Sequence, residues 1–110
     1  HPASVDSIPS SANQEDHVSM GTIVARKAVE ILKNAQRVLA IELFAAGQAV
    51  GMIGQEMLSP ATRAAFSLLR EEVPQLERDV VMYEWMEKCE RIVMDQRLIP
   101  AVESVTGELN

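Results

Sequence analysis

Aromatic residues are scarce, at 4% of the chain, and cationic ones are outnumbered, with ten Lys and Arg against sixteen Asp and Glu and a net charge of −6. Without a basic stripe interleaved with aromatics, binding to nucleic acid through phosphate neutralisation is not expected. Cysteine is nearly absent. Cys89 stands alone, so no internal disulfide can form, a reducing compartment fits, and the residue reads as a small buried hydrophobe. No Cys-x-x-Cys pair, phosphate-cradling glycine loop or nucleophile elbow occurs, and no repeat or low-complexity segment. The longest apolar run, 38–53, contains Glu42 and Gln48 and falls short of the ~20 residues that a membrane span needs. The first residues lack the basic and apolar regions of a signal peptide. These absences leave a soluble cytoplasmic protein as the expectation, with neither a nucleic-acid nor a membrane partner.

What is present is aliphatic. Apolar residues make up 47% of 110 positions, and Ala, Val, Leu, Ile and Met dominate, which favours helix-on-helix packing over a sheet. The reading is an all-α chain with one very long central helix and two or three shorter helices. Residues 1–12 hold Pro2, Pro9 and several small or hydroxyl residues without any apolar period, so they read as extended or irregular. The long helix is placed at 14–50. Asn13 is a good N-cap, with Asp16 where a capping-box acid would sit; a start at Ser19 is the alternative, with 14–18 as a loop. Val24, Ala28, Ile31, Leu32, Ala35, Val38 and Leu39 recur at helical spacing, opposite Arg26, Lys27, Glu30, Lys33 and Arg37. From Val38 to Val50 only Glu42 and Gln48 are polar, so the helix there needs enclosure on most sides, and Glu42 needs a partner such as an Arg from another helix or subunit. Such a rod, about 50 Å long at 1.5 Å per residue, suits the core of a multi-subunit bundle.

Gly51 or Gly54 can take the left-handed conformation that ends the helix. Ser59-Pro60 restarts one over 60–72, with Arg63, Arg70 and Glu71 placed outside, and Val73-Pro74 stops it. A third helix is placed from Asp79, as N-cap, to Asp95. Its apolar stripe is Met82, Trp85, Met86, Cys89, Ile92 and Val93, with Glu84–Lys88 and Glu87–Arg91 as i,i+4 pairs. Leu98-Ile99-Pro100 interrupts the pattern, and 100–106 can form a last short helix, so the shorter helices occupy 59–106. Met52, Met57, Met82, Met86 and Met94 read as packing residues. Tyr83 and Trp85 read as core or interface anchors.

The chemistry is placed where the lead-in becomes the long helix, at Asn13-Gln14-Glu15-Asp16-His17-Val18-Ser19-Met20-Gly21. A helix start leaves backbone N–H groups unpaired and carries the positive end of the macrodipole, which favours carboxylates there. His17, Glu15 and Asp16 cannot all reach one metal ion, because successive helical residues point ~100° apart. No metal site is expected. Read on composition alone, Glu15 is a solvated first-turn acid, with Asn13 and Gln14 as capping or loop residues.

This stretch, together with Pro2-Ala3-Ser4-Val5-Asp6-Ser7-Ile8-Pro9 and Leu39-Ala40-Ile41-Glu42, resembles the C-terminal part of the histidine ammonia-lyases, within the aromatic amino acid lyase and aminomutase family. The likeness is strong over roughly the first half of the chain. Beyond it, only the helical pattern and the Leu58-Ser59-Pro60 and Val73-Pro74 punctuation carry it. The resemblance implies a C-terminal portion in which 1–13 form an active-site loop segment, 14–50 a bundle helix in a homotetramer, and the N-terminal part of the same enzyme supplies the rest. It implies loss of ammonia from L-histidine or a related aromatic amino acid, giving urocanate in the first case. Tyrosine or phenylalanine ammonia-lyase or aminomutase activity is the alternative within the family. Outside it stands a non-catalytic helical interaction module.

In that family the Glu of the Asn-Gln-Glu run lies in the active site, so the resemblance makes Glu15 catalytic, for proton transfer or for holding the substrate. A carboxyl in a partly apolar pocket has its pKa raised toward the working range of a general acid or base. Gln14 and Asn13 become substrate-binding groups, and His17 and Asp16 hold the loop or support the contact residues from behind. The family's electrophile, 4-methylidene-imidazole-5-one (MIO), forms from an Ala-Ser-Gly tripeptide that this chain lacks. The chain alone is therefore expected to be inactive.

Overall fold

The computed structural model describes residues 2, 12 and 20–109, and these contain four helices and no strand: α1 (Gly21–Ile53), α2 (Pro60–Glu72), α3 (Tyr83–Met94) and α4 (Leu98–Thr106). The chain divides into two compact units, His1–Asn34 and Ala35–Asn110, with the boundary inside α1.

In the first unit the described structure is the N-terminal part of α1. That helix starts at Gly21 instead of 14, and Met20 lies outside it. The carbonyl of Met20 accepts the first intrahelical bond from the Val24 N–H at 2.9 Å, so the free donors of the helix start are those following Met20. No acid occupies the first turn. Glu15 and Asp16 precede it in sequence and lie outside the described residues. The proposed cap Asn13 lies outside the described residues. Val24, Val29, Ile31 and Leu32 are all exposed.

In the second unit, α1 continues to Ile53 and ends at Gly54, whose φ of 107° is the left-handed stop and whose N–H donates to the Val50 carbonyl at 2.9 Å. Val38, Leu39 and Ile41 on its outer side remain exposed, whereas Ala40, Phe44 and Gly47 are buried. The enclosure expected around 38–50 is thus provided on one side only by this chain. Glu42 is exposed and forms no ion pair among the described residues.

Helix α2 begins as its sequence dictates. The Ser59 hydroxyl accepts from the Thr62 N–H at 3.2 Å, and Pro60 fills the first turn, where its missing N–H costs nothing. It ends at Val73, fully buried. Phe66 and Leu69 turn into the core, and α2 packs on α3 and α4. The core of this unit gathers Ala40 and Phe44 of α1, Leu69 of α2, Val73, and Cys89 and Ile92 of α3, with Trp85, Met86 and Leu98 against it.

Helix α3 starts at Tyr83 after Met82, not at Asp79. Two β-branched residues, Val80 and Val81, follow Asp79 and weaken helix propagation. The preceding 74–76 segment is held by side chains of α1: the Gln48 carboxamide donates to the Pro74 carbonyl at 3.1 Å and accepts from the Leu76 N–H at 2.9 Å. α3 closes in a full Schellman arrangement. Gln96 N–H donates to the Val93 carbonyl at 3.2 Å and Arg97 N–H to the Ile92 carbonyl at 3.3 Å, with Gln96 at φ 52°, the left-handed residue that this motif requires. Leu98, Ile99 and Pro100 form the first turn of α4 instead of interrupting a helix.

The side-chain pairing also differs from the i,i+4 expectation. Neither Glu84–Lys88 nor Glu87–Arg91 forms. Lys88 donates to the Glu72 carbonyl at 3.3 Å and lies 4.4 Å from the centre of the Trp85 ring, while Arg37 meets Glu90 at 3.6 Å and Arg97 meets Glu72. These partners are remote in sequence, and the half-burial of Lys88, Arg97 and Glu72 makes theirs better than an exposed neighbour. Of the methionines, Met86 packs on the core, whereas Met52, Met57 and Met94 are exposed, Met57 to 92%.

Candidate functional site

All five sequence-predicted site residues, Asn13, Gln14, Glu15, Asp16 and His17, lie outside the described residues. The described positions flanking them are Ala12, in a turn with φ 57°, and Met20, immediately before α1. A non-glycine residue with positive φ is uncommon, so the chain is bent on the N-terminal side of the run and becomes helical on its C-terminal side.

The second unit gathers polar groups of its own, and the largest set centres on Arg70. Sequence placed this residue on the outward face of α2; it is half-buried instead. Its Nη2 donates to the Gly47 carbonyl at 2.5 Å and to Gln75 Oε1 at 2.6 Å, and its Nη1 to the carbonyls of Val73 and Pro74 at 3.0 and 3.2 Å. The guanidinium carbon also lies 4.7 Å from the centre of the Phe66 ring. Gln75 completes the set by donating to the Gln48 carbonyl at 3.2 Å. The close approach that permits this comes from Gly47 and Gly51, whose missing Cβ atoms leave the space taken by Leu69 and by the side chains of Gln75 and Arg70. Burial pulls the Arg70 pKa below its ordinary value, yet every acceptor is a neutral carbonyl oxygen. Such an arrangement satisfies the carbonyls at the end of α2 and fixes the 73–76 turn on α1; it leaves no guanidinium edge for a substrate. Three of its acceptors lie within five residues of it and only the Gly47 carbonyl, on α1, is far away in sequence.

Three clefts open on this unit. One of about 260 Å³ is lined by Arg37, Ile41, Tyr83, Met86, Glu87 and Glu90. A second, of about 620 Å³, follows the 74–81 segment to Glu84 and Trp85. The third, of about 380 Å³, is an apolar groove between α1 and the junction of α3 with α4. None pairs a nucleophile with a base. No group of three His, Cys, Asp or Glu side chains that could hold a metal ion occurs among the described residues, and none of the described helices is long and apolar enough to cross a membrane. Cys89 is buried and free, and burial first, then the Glu72 charge, pushes its thiol up to about 11, against the opposing pull of Arg70. A thiol held protonated is no nucleophile at neutral pH.

Comparison with known proteins places the chain in a family. Residues 1–71, which include the Asn13–His17 run, match the family described as aromatic amino acid lyase. Histidine ammonia-lyase of Symbiobacterium thermophilum is 56% identical over 99% of this chain, and that of Natranaerobius thermophilus 52% identical over the same share. The chain spans 22% of the length of each. Among solved structures, the X-ray crystal structure of tyrosine aminomutase from Streptomyces globisporus covers 98% of the chain with a TM-score of 0.91 at 37% identity, the chain matching 21% of it. On the match over 1–71 and these identities, the chain belongs to the aromatic amino acid lyase family.

Proposed function

We propose that this chain is the C-terminal part of an enzyme that eliminates ammonia from L-histidine to give urocanate. The observation that carries the reading is the 56% and 52% identity to two histidine ammonia-lyases across 99% of the chain. The tyrosine aminomutase likeness, at 37% identity, keeps tyrosine chemistry as the second reading within the family; the higher identities favour histidine.

MIO is the electrophile that family chemistry implies. This chain lacks the Ala-Ser-Gly from which it forms, and no group of described residues makes a site for it, so the upstream part of the polypeptide would supply it. The residues of this chain act on the substrate. Glu15 transfers a proton or holds the imidazole, Gln14 and Asn13 position the substrate, and His17 and Asp16 hold the loop. The long α1 carries this segment into a homotetramer in which neighbouring subunits close the site, in a cytoplasmic enzyme.

The test is the full-length protein assayed for urocanate absorbance beside its Glu15→Gln variant. Removing a general acid or base costs about 10²–10⁴-fold, so turnover should fall at least a hundredfold while the protein stays folded. Near-wild-type turnover would take Glu15 out of the mechanism. Conversion of L-tyrosine in preference to L-histidine would replace the substrate assignment.

A further inference from the structure

Ile92 is fully buried in the core of the second unit, and Leu43 and Leu98 pack against that core. The same three side chains, with Leu39, Ile99 and Gln96, line the open apolar groove. Leu39 and Ile99 are 51% and 57% exposed, so the core reaches solvent here without a covering layer. No charged side chain lines the groove. A surface that selects a separate partner uses charge for register and a polar rim; this one has the composition of an interior.

Its one polar lining group is Gln96, which sits in the left-handed conformation at φ 52° where glycine is favoured. That conformation is the stop of α3, which glycine would adopt without strain. The chain also spans 22% of the length of its histidine ammonia-lyase relatives, so a polypeptide like theirs has most of its residues outside it.

We propose that the groove is an unfinished stretch of core filled by an apolar segment from the remainder of the same polypeptide, with the Gln96 carboxamide bonding to a backbone group of that segment. The assignment rests on the reading above that this chain is part of a longer enzyme. It makes α4 and the 95–97 turn a docking element for the upstream fold, and it excludes a second copy as the occupant.

The photo-crosslinking amino acid p-benzoylphenylalanine, placed at position 99 of the full-length protein, tests this directly. Irradiation should give a product of monomer mass under denaturing conditions, with the crosslinked peptide mapping upstream of His1. A product of doubled mass, a crosslink within 1–110, or no crosslink would overturn it. Gln96→Gly relieves the backbone and removes the amide together, so its thermal unfolding midpoint should be unchanged or lowered; a raised midpoint would mean that the carboxamide bonds to nothing. Urocanate formation is read separately on unirradiated protein. Inactive protein with the upstream crosslink would sink the histidine reading and leave the groove assigned, and active protein without it would do the reverse.

Discussion

A methyl group on Gly47 would overlap the Cδ2 atom of Leu69, a side chain 1% exposed and unable to swing aside freely. Two effects compete in Gly47→Ala. Replacing a mid-helix glycine gains about 0.5–1 kcal/mol, and overpacking a well-filled core costs about 1–3 kcal/mol. The second wins, because the Gly47 carbonyl is also held by Arg70 and α1 cannot retreat without lengthening that bond. Gly47→Ala should therefore lower the urea midpoint by an amount equivalent to about 1 kcal/mol, and an increase would show that Leu69 can repack. Cys89 makes a prediction of opposite kind, in pH. Its folded pKa is raised to about 11 from 9.0, so the folded state keeps its proton while the unfolded thiol ionises, and the unfolded state is favoured progressively as pH rises from about 9 to 11. The thiol should resist alkylation at neutral pH until denaturant is added, and Cys89→Ala should flatten the alkaline loss of stability. Fast native labelling would place Cys89 at the surface. Of these residues Cys89 was legible in sequence, because an isolated cysteine on an apolar stripe has few alternatives, whereas Arg70 was not: an arginine at a helix end looks solvated until the 73–75 turn folds back over it and the Gly47 carbonyl of α1 is packed beside it.

Helix ends written by adjacent residues were readable, and those set by contacts with another helix were not. Ser59-Pro60 and Val73-Pro74 bound α2 at 60–72, and Gly54 ends α1, because cap, proline ring and left-handed glycine each act within one turn. Asp79 offers a cap of the same quality on paper, yet the 74–76 backbone is committed to Gln48, and the helix waits until Tyr83. The start of α1 was left between two caps, Asn13 and Ser19, which sequence ranks by propensity alone; the helix begins at Gly21, close to the Ser19 alternative and not at 14. The candidate catalytic run was singled out only through family resemblance, and it lies outside the described residues. A glutamate near a helix start is common, and nothing in its spacing separates a catalytic acid from a solvated one. At this scale the Ser59 cap is the sharpest test. Ser59→Ala removes the oxygen that accepts from the Thr62 N–H and should destabilise α2 by about 1 kcal/mol, read as faster amide exchange at 61–63. Unchanged exchange would mean that Pro60 alone sets the helix start.

Val24, Ile31 and Val38 recur every seventh residue along α1, with Leu32 beside them, and all four are exposed. Scattered apolar residues on a surface need no explanation, but a stripe at helical spacing is a contiguous patch of the kind that marks an interface. Its exposure follows from how little of α1 this chain buries: Ala40, Phe44 and Gly47. A net charge of −6 opposes association, yet charge repulsion between solvated groups is screened within about 8 Å at physiological salt, whereas apolar burial gains about 25 cal/mol per Å² and is not. The hydrophobic term should prevail. The 110-residue chain expressed alone is expected to self-associate at micromolar concentration in 0.15 M salt. Static light scattering should give a mass above that of one chain, and lowering the salt should shift the population toward smaller species as repulsion strengthens. Val24→Glu with Ile31→Glu, both on the stripe and neither in the core, should restore a smaller species without loss of helicity. A monodisperse monomer of the unaltered chain would show that the seam needs no covering, and would remove the argument that α1 is built for contact with other chains.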